Sequence, residues 1–195
     1  WIMELKDGIG ACNCHTRSIN IITPLLYAGR QHRRKTRENL MCGMMLHELE
    51  EMSGMKSFIT FDAHDPGVEH ALHKTEFDNF FATNVILEEF INNLPQEELE
   101  HLAFIAPDNG AVGRRDVYLN SFNSAAIDRE AGSFNKKRDY NNLVDGKYPV
   151  IEHQYSGSSD LTGYTAIVSD DMISSGGSMF DVMEELKKRN VKKIY

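Results

Sequence analysis

Apolar residues gather along this chain in short runs, separated by stretches with helical spacing. The runs are Ser18–Leu26 (SINIITPLL), Ser57–Phe61 (SFITF), Leu102–Ala106 (LAFIA) and Ala166–Ser169 (AIVS). Runs of this length, bounded by turn residues, predict strands buried in a sheet. Glu38–Met52 predicts a helix with Leu40, Met44, Met45 and Leu49 near one face, and Asn84–Asn93 a second, amphipathic one. Arg114–Phe122 predicts a third. Met179, Val182, Met183 and Leu186 put the core face on a fourth. Trp1–Cys14 reads as the tail of a helix and a loop, Phe77–Ala82 as a short extended piece, and Val150–Tyr155 and the closing VKKIY as further strands. Gly132 marks a loop over Ser133–Tyr140, Ala125–Ile127 opens a strand region before it, and Asp145–Pro149 is a turn.

The stretch Thr165–Asn190 combines strand, small-residue loop and helix. Two acids, Asp170 and Asp171, end the strand, and Ser174, Ser175, Gly176, Gly177 and Ser178 lead into the helix. The glycines allow a tight turn and a close backbone approach to a ligand. The first-turn amides and the positive end of the helix dipole favour an anion such as a phosphate. The paired carboxylates suit sugar hydroxyls or a magnesium ion carried by a phosphorylated ligand. Two other strand ends carry chemistry. Asp62, His64 and Asp65 follow the second apolar run, and Asp108 with glycines follows the third, where α/β sheets place ligands. Tyr27–Arg37 holds Arg30, Arg33, Arg34, Lys35 and Arg37. Arg forks grip phosphate oxygens in pairs, so this run is a candidate polyphosphate contact, or else a solvated basic loop. Lys136, Lys137 and Arg138 form a second cationic cluster. HELEE in the first predicted helix lacks the second His of a H-E-x-x-H zinc site.

Composition narrows the classes. The chain has 195 residues, 26% of them charged, with a net charge of −8. That balance excludes general nucleic-acid binding, which needs a basic surface. Cys12, Cys14 and Cys42 give no disulfide framework and no C-x-x-C spacing, as expected of reduced thiols in a cytoplasmic protein. No apolar run approaches the ~20 residues of a membrane span, and no signal pattern opens the chain. The chain starts at Trp1 inside an expected helix and stops at Tyr195 inside an expected strand, which predicts that it is part of a longer protein.

From about Ser18 to Tyr195 the chain resembles the ribose-phosphate diphosphokinase (phosphoribosyl pyrophosphate synthetase) family, in its bacterial-type branch. DDMISSGGS resembles the DD-(aliphatic)₂-x-(S/T)-G-G-(S/T) signature of phosphoribosyl-diphosphate-binding proteins. YAGRQHRRKTR is similar to the family's Y-x-R-Q-(D/H)-(K/R)-(K/R) stretch, ITFDAHDPG to its T-x-D-L-H segment, IAPDNGAVGR to its S-P-D-x-G-G segment, and NKKRDY to its flexible catalytic loop. The resemblance implies an α/β fold of two incomplete phosphoribosyltransferase-like (Rossmann-like) domains with mainly parallel sheets and flanking helices. Residues 1–83 would be the ATP side and 84–195 the ribose-5-phosphate side. It implies that Arg30, Gln31 and His64 contact ATP and that His64 and Asp108 are metal contacts for Mg2+. Lys136 and Arg138 would be catalytic, with Lys137 as the alternative lysine. Asp170, Asp171 and Ser174–Ser178 would bind ribose 5-phosphate. The implied reaction transfers the diphosphoryl group of MgATP to the C1 hydroxyl of ribose 5-phosphate, releasing AMP, in a homo-oligomer that engages neither nucleic acid nor membrane. A phosphoribosyltransferase that consumes the product, and a non-catalytic regulatory homologue, are the alternatives. Ser174 and Ser175 stand where many members have Asp-Thr, and KTRENL replaces the S-R-x-P of phosphate-activated members.

Overall fold

A computed structural model describes residues 2–12, 15–34, 37, 39–122, 128–138 and 150–195, and at 2, 52, 53, 136–138 and 150–153 only the backbone. The chain divides into two compact units, Trp1–Ala82 and Thr83–Tyr195.

The first unit holds α1 (Ile2–Ala11), β1 (Asn20–Thr23), α2 (Met41–Ser53), β2 (Ser57–Phe61) and β3 (Glu76–Phe80). Its three strands are parallel, in the order β1-β2-β3. The register aligns Ile21, Phe58 and Phe77 on one face of the pleat. The Phe58 and Phe77 rings stack there, 6.2 Å apart. Cys42, Met45, Leu46 and Leu49 of α2 belong to the same core. Of the residues that helical spacing put on one face, Met45 and Leu49 belong to this core; Cys42 and Leu46 join them, while Leu40 is half-buried and Met44 points outward, 63% exposed. β1 departs further from expectation. Only Asn20–Thr23 pairs, and Ile22 and Leu25 are 63% and 65% exposed. An edge strand with one covered face needs only alternate residues apolar, so the long apolar run overstated its burial.

The second unit holds α3 (Thr83–Asn93), α4 (Gln96–Leu99), β4 (His101–Ala106), α5 (Val112–Ser121), β5 (Asp128–Arg138), β6 (Val150–Ser156), β7 (Thr165–Val168), α6 (Gly177–Lys187) and β8 (Lys193–Ile194). The sheet order is β6-β5-β4-β7-β8; β6 alone is antiparallel to its neighbour. β4 is central and buried from Leu102 to Ala106. Its side chains alternate between two cores. Leu102 and Phe104 pack with Leu87, Tyr118 and Phe122 from α3 and the α5 end. Ala103 and Ile105 pack with Leu161, Val182 and Leu186 on the α6 side. From β4 the chain first builds outward to β5, then returns to place β7 on the other side. The carboxyl ends of β4 and β7 thus flank a point where strand order reverses, and a crevice opens at such points.

Ser133–Tyr140, expected as a loop, is instead strand as far as it is described. β5 runs eleven residues to Arg138, pairing Lys136 with His153 and Arg138 with Val150. Gly132 is no breaker here. A Cβ at Gly132 would lie 2.3 Å from Tyr155 Oη, so the glycine makes room for that ring. The ladder to β6 satisfies the polar backbone, and an antiparallel ribbon tolerates charged side chains where a parallel core does not. Ala125–Ile127 and Asp145–Pro149 lie outside the described residues. Among the described residues no helix is long and apolar enough to cross a membrane.

Candidate functional site

In the second unit the site grows from two adjacent strand ends. Past β4, Asp108 adopts an extended backbone and accepts bonds from Gly110 N at 2.8 Å and Ala111 N at 3.2 Å. It thereby caps the short 3₁₀ turn that feeds α5, while its carboxylate stays at the surface. Past β7, Asp170 Oδ1 accepts the Asp171 amide at 2.9 Å. The Asp170 carboxyl is pushed up to about 6, first by burial and then by its hydrogen bond to the Asp171 side chain and by the charges of Asp171 and Asp108. Three acids therefore sense one another across the switch point. Arg114, in the first turn of α5, brings Nη1 to 3.8 Å from Asp171 Oδ1, with both side chains largely buried.

The loop Ser174–Ser178 then turns into α6. Gly176 is left-handed at φ 76 and takes the N-cap position. Its conformation is one that L side chains rarely adopt, and with no side chain it leaves the entering amides to a ligand. Met179 N and Phe180 N already bond to Gly176 O. Ser174, Ser175, Gly177 and Ser178 are exposed. The predicted loop residues therefore surround the start of an eleven-residue helix, where the dipole favours a phosphate.

In the first unit β1 and β2 are parallel neighbours, so their carboxyl ends lie side by side. The turn after β1 carries Arg30 and Gln31, both exposed; the turn after β2 carries exposed His64. Asp62, left-handed at φ 46, accepts the Ala82 amide at 3.1 Å and closes the strand end. Between the two turns lies His32, whose Nε2 sits 3.2 Å from Asp65 Oδ2 and whose ring centre is 5.3 Å from that of His64. Neither His32 nor Arg114 was picked out from the sequence. His32 was hidden in a run of cations, and the partner of Arg114 is far along the chain. The available signal was strand adjacency: two parallel runs ending in polar turns bring those turns together.

Lys136 and Arg138 end β5, and their side chains lie outside the described residues. In α2, His47, Glu50 and Glu51 place ligand atoms within 4.8 Å of one another. Glu50 there has a structural task. It is buried and accepts the amides of His73 at 2.9 Å and Lys74 at 2.6 Å. Cys12 and Cys42 are unbridged, and burial raises the Cys42 thiol to about 11. Cys14 lies outside the described residues.

Comparison with known proteins adds a family to this geometry. The model described as "Phosphoribosyl transferase domain" matches residues 78–195. A ribose-phosphate pyrophosphokinase from Staphylococcus epidermidis is 25% identical over the whole of this chain and 56% of its own length. Proteins of the same name from Prochlorococcus marinus and Thermoplasma volcanium are 24% and 26% identical, with 54% and 61% of their lengths covered. The chain thus spans little more than half the length of these curated relatives. The crystal structure of a phosphoribosylpyrophosphate synthetase from Mycobacterium smegmatis matches with a TM-score of 0.76 at 19% identity, over all of this chain and 58% of that one. That match carries the fold: α/β, with parallel sheets flanked by helices.

Proposed function

The chain belongs to the phosphoribosyl transferase domain family, and on that premise we propose that it carries the ribose-5-phosphate side and part of the ATP side of a ribose-phosphate diphosphokinase. The observation that carries the reading is the convergence at β4 and β7: Asp108, Asp170 and Asp171 face a switch point, beside a helix start led by Gly176. A sugar phosphate has the matching chemistry. Its phosphate suits the amides at α6, and its hydroxyls suit the carboxylates.

In the reaction, the C1 hydroxyl oxygen of ribose 5-phosphate attacks the β-phosphorus of ATP. The bond from that phosphorus to the α,β-bridging oxygen breaks, AMP leaves with the bridging electrons, and the hydroxyl proton passes to solvent. Such transfers depend on in-line placement and on stabilising negative charge spread over the phosphoryl oxygens. Ser174–Ser178 would hold the acceptor phosphate, and Asp170 and Asp171 the ribose hydroxyls. Lys136 and Arg138 would supply cations to the transferring group. Arg30, Gln31 and His64 would meet the nucleotide. The donors in the second unit suit magnesium: they are hard oxygens, and Asp171 and Asp108 add their charges to the burial that raises the Asp170 carboxyl. Asp108 would hold that ion there, with His64 serving the metal–nucleotide in the first unit; magnesium would supply neutralisation of the triphosphate charge. A homo-oligomer in the cytoplasm completes the reading.

The test is a full-length assay with MgATP and ribose 5-phosphate. AMP and phosphoribosyl diphosphate are expected in equal amounts. ADP as the nucleotide product, or release of pyrophosphate from phosphoribosyl diphosphate with a base as acceptor, would overturn the reading; the second outcome is that of a phosphoribosyltransferase. Lys136→Ala is expected to lower kcat by roughly 10²–10³ with the KM for ribose 5-phosphate little changed. A normal rate in that variant would move the role to Lys137 or off β5.

A further inference from the structure

His32 lies between the residues assigned to the nucleotide and does something different from its neighbours. Gln31, Arg33 and Arg34 are exposed, whereas the His32 side chain is only 9% exposed. Both ring nitrogens face oxygen atoms. Nδ1 lies 3.2 Å from the Gly29 carbonyl and Nε2 lies 3.2 Å from Asp65 Oδ2. The second oxygen of Asp65 accepts the Gly67 amide at 2.9 Å and caps the 3₁₀ turn Pro66–Ala71. His32 therefore ties the turn after β1 to the turn after β2 through a carboxylate that is itself held.

The backbone is shaped for this contact. Ala28 takes a left-handed φ of 55, and Gln31 N closes back on Ala28 O at 2.7 Å. A Cβ on Gly29 would lie 3.3 Å from the Leu26 carbonyl and 3.9 Å from the Cβ of His64. The turn thus sits directly over His64, and a left-handed alanine is a conformational cost that the His32 clasp helps to offset. The His32 ring packs tilted against the His64 ring, at 56° and 5.3 Å between centres.

We infer that His32 is a positioning residue for the nucleotide side: by bridging Gly29 and Asp65 it holds the Arg30–Gln31 turn against the β2 end and sets the placement of His64. This rests on the diphosphokinase reading above. A solvated member of a basic run would be exposed, without a carboxylate and a carbonyl on its two nitrogens.

The experiment uses the full-length protein with magnesium and measures KM for MgATP and for ribose 5-phosphate, kcat, and the thermal midpoint. His32→Ala is expected to raise the KM for MgATP by roughly tenfold while leaving the KM for ribose 5-phosphate unchanged. Asp65→Ala is expected to do the same, and the double variant to add little beyond either single change, because both remove one clasp. His32→Gln keeps an amide donor for Asp65, so it should recover part of the MgATP affinity and serves where the alanine variant folds poorly. If wild type makes AMP but His32→Ala and Asp65→Ala, both folded, leave the KM for MgATP unchanged, this inference fails and the diphosphokinase reading stands. A lowered thermal midpoint with both KM values unchanged would likewise make the clasp purely structural and overturn it. If wild type makes no AMP at all, both fall.

Discussion

Asp170 pays for its place at the switch point in stability. Its carboxyl rises to about 6 in the folded protein, from burial and from the neighbouring acids, against an ordinary value near 4. Below pH ~4 it is protonated folded or unfolded. As pH climbs from there to 6 the unfolded chain ionises first, so stability falls, and above 6 the full penalty applies. Asp170→Asn is therefore expected to stabilise the metal-free protein at pH 8 by ~1–3 kcal/mol and to give no gain below pH 4. Urea unfolding across pH in a chelator measures this; equal gains at pH 4 and pH 8 would contradict it. Asp170 and Asp171 were legible in the sequence because they are chain neighbours in a recognisable order. Arg114 was not, because its partner Asp171 comes from another strand end that only the sheet brings near.

Two elements show how packing redirects local signals. Gly132 and the following cations read as a loop, yet β5 continues through them, because Tyr155 on β6 fills the space that a side chain would take. That ring also packs on Phe134 at 5.0 Å and under the Arg189 guanidinium at 4.3 Å, so it cannot easily move. Gly132→Ala is expected to destabilise by ~2 kcal/mol or more, and much less in a Tyr155→Ala background; chemical denaturation of the four proteins gives the coupling. The second element is the segment from α2 to β3. Burial raises the Glu50 carboxyl, but the amides of His73 and Lys74 and the Thr75 contacts lower it further, to about 2. Its contribution is complete above the ordinary glutamate value of 4.5 and is lost as pH falls from there to 2. Glu50→Gln should cost ~1–3 kcal/mol at pH 7, with the difference shrinking below pH 4. Unfolding curves at pH 7 and pH 3 test it. HELEE offered a metal spacing to consider, but Glu50, the one buried acid of that segment, is engaged by backbone amides.

At the level of the molecule the two units differ in how their sheets are covered. β4 carries a core on each face. In the first unit Ile21, Phe58 and Phe77 are packed, but Ile22, Phe61 and Phe80 on the opposite face are 63%, 39% and 51% exposed. Parallel sheets are stable when both faces are covered. Residues 83–195 are accordingly expected to fold alone with a cooperative urea transition, whereas 1–82 alone should aggregate or unfold non-cooperatively. On the proposed function, ribose 5-phosphate at a hundred times its Kd would stabilise 83–195 by about 2.7 kcal/mol. Circular dichroism with and without the sugar phosphate measures both outcomes. A cooperative 1–82 and an unfolded 83–195 would reverse the argument.

Sequence alone determined the strand–loop–helix of Thr165–Asn190, the acid pair, the glycine at the helix start and the alternation of buried strands with helices. Each depends on residues close in the chain, whose spacing and conformational limits act before any tertiary contact forms. Tertiary structure decided what those signals meant together. It set Asp108 beside Asp170 by pairing β4 with β7, drew His32 from a basic run into a clasp with Asp65, and kept Lys136–Arg138 in a strand. Such outcomes turn on which strands become neighbours and which side chains fill the space between them, and a one-dimensional pattern does not carry that information.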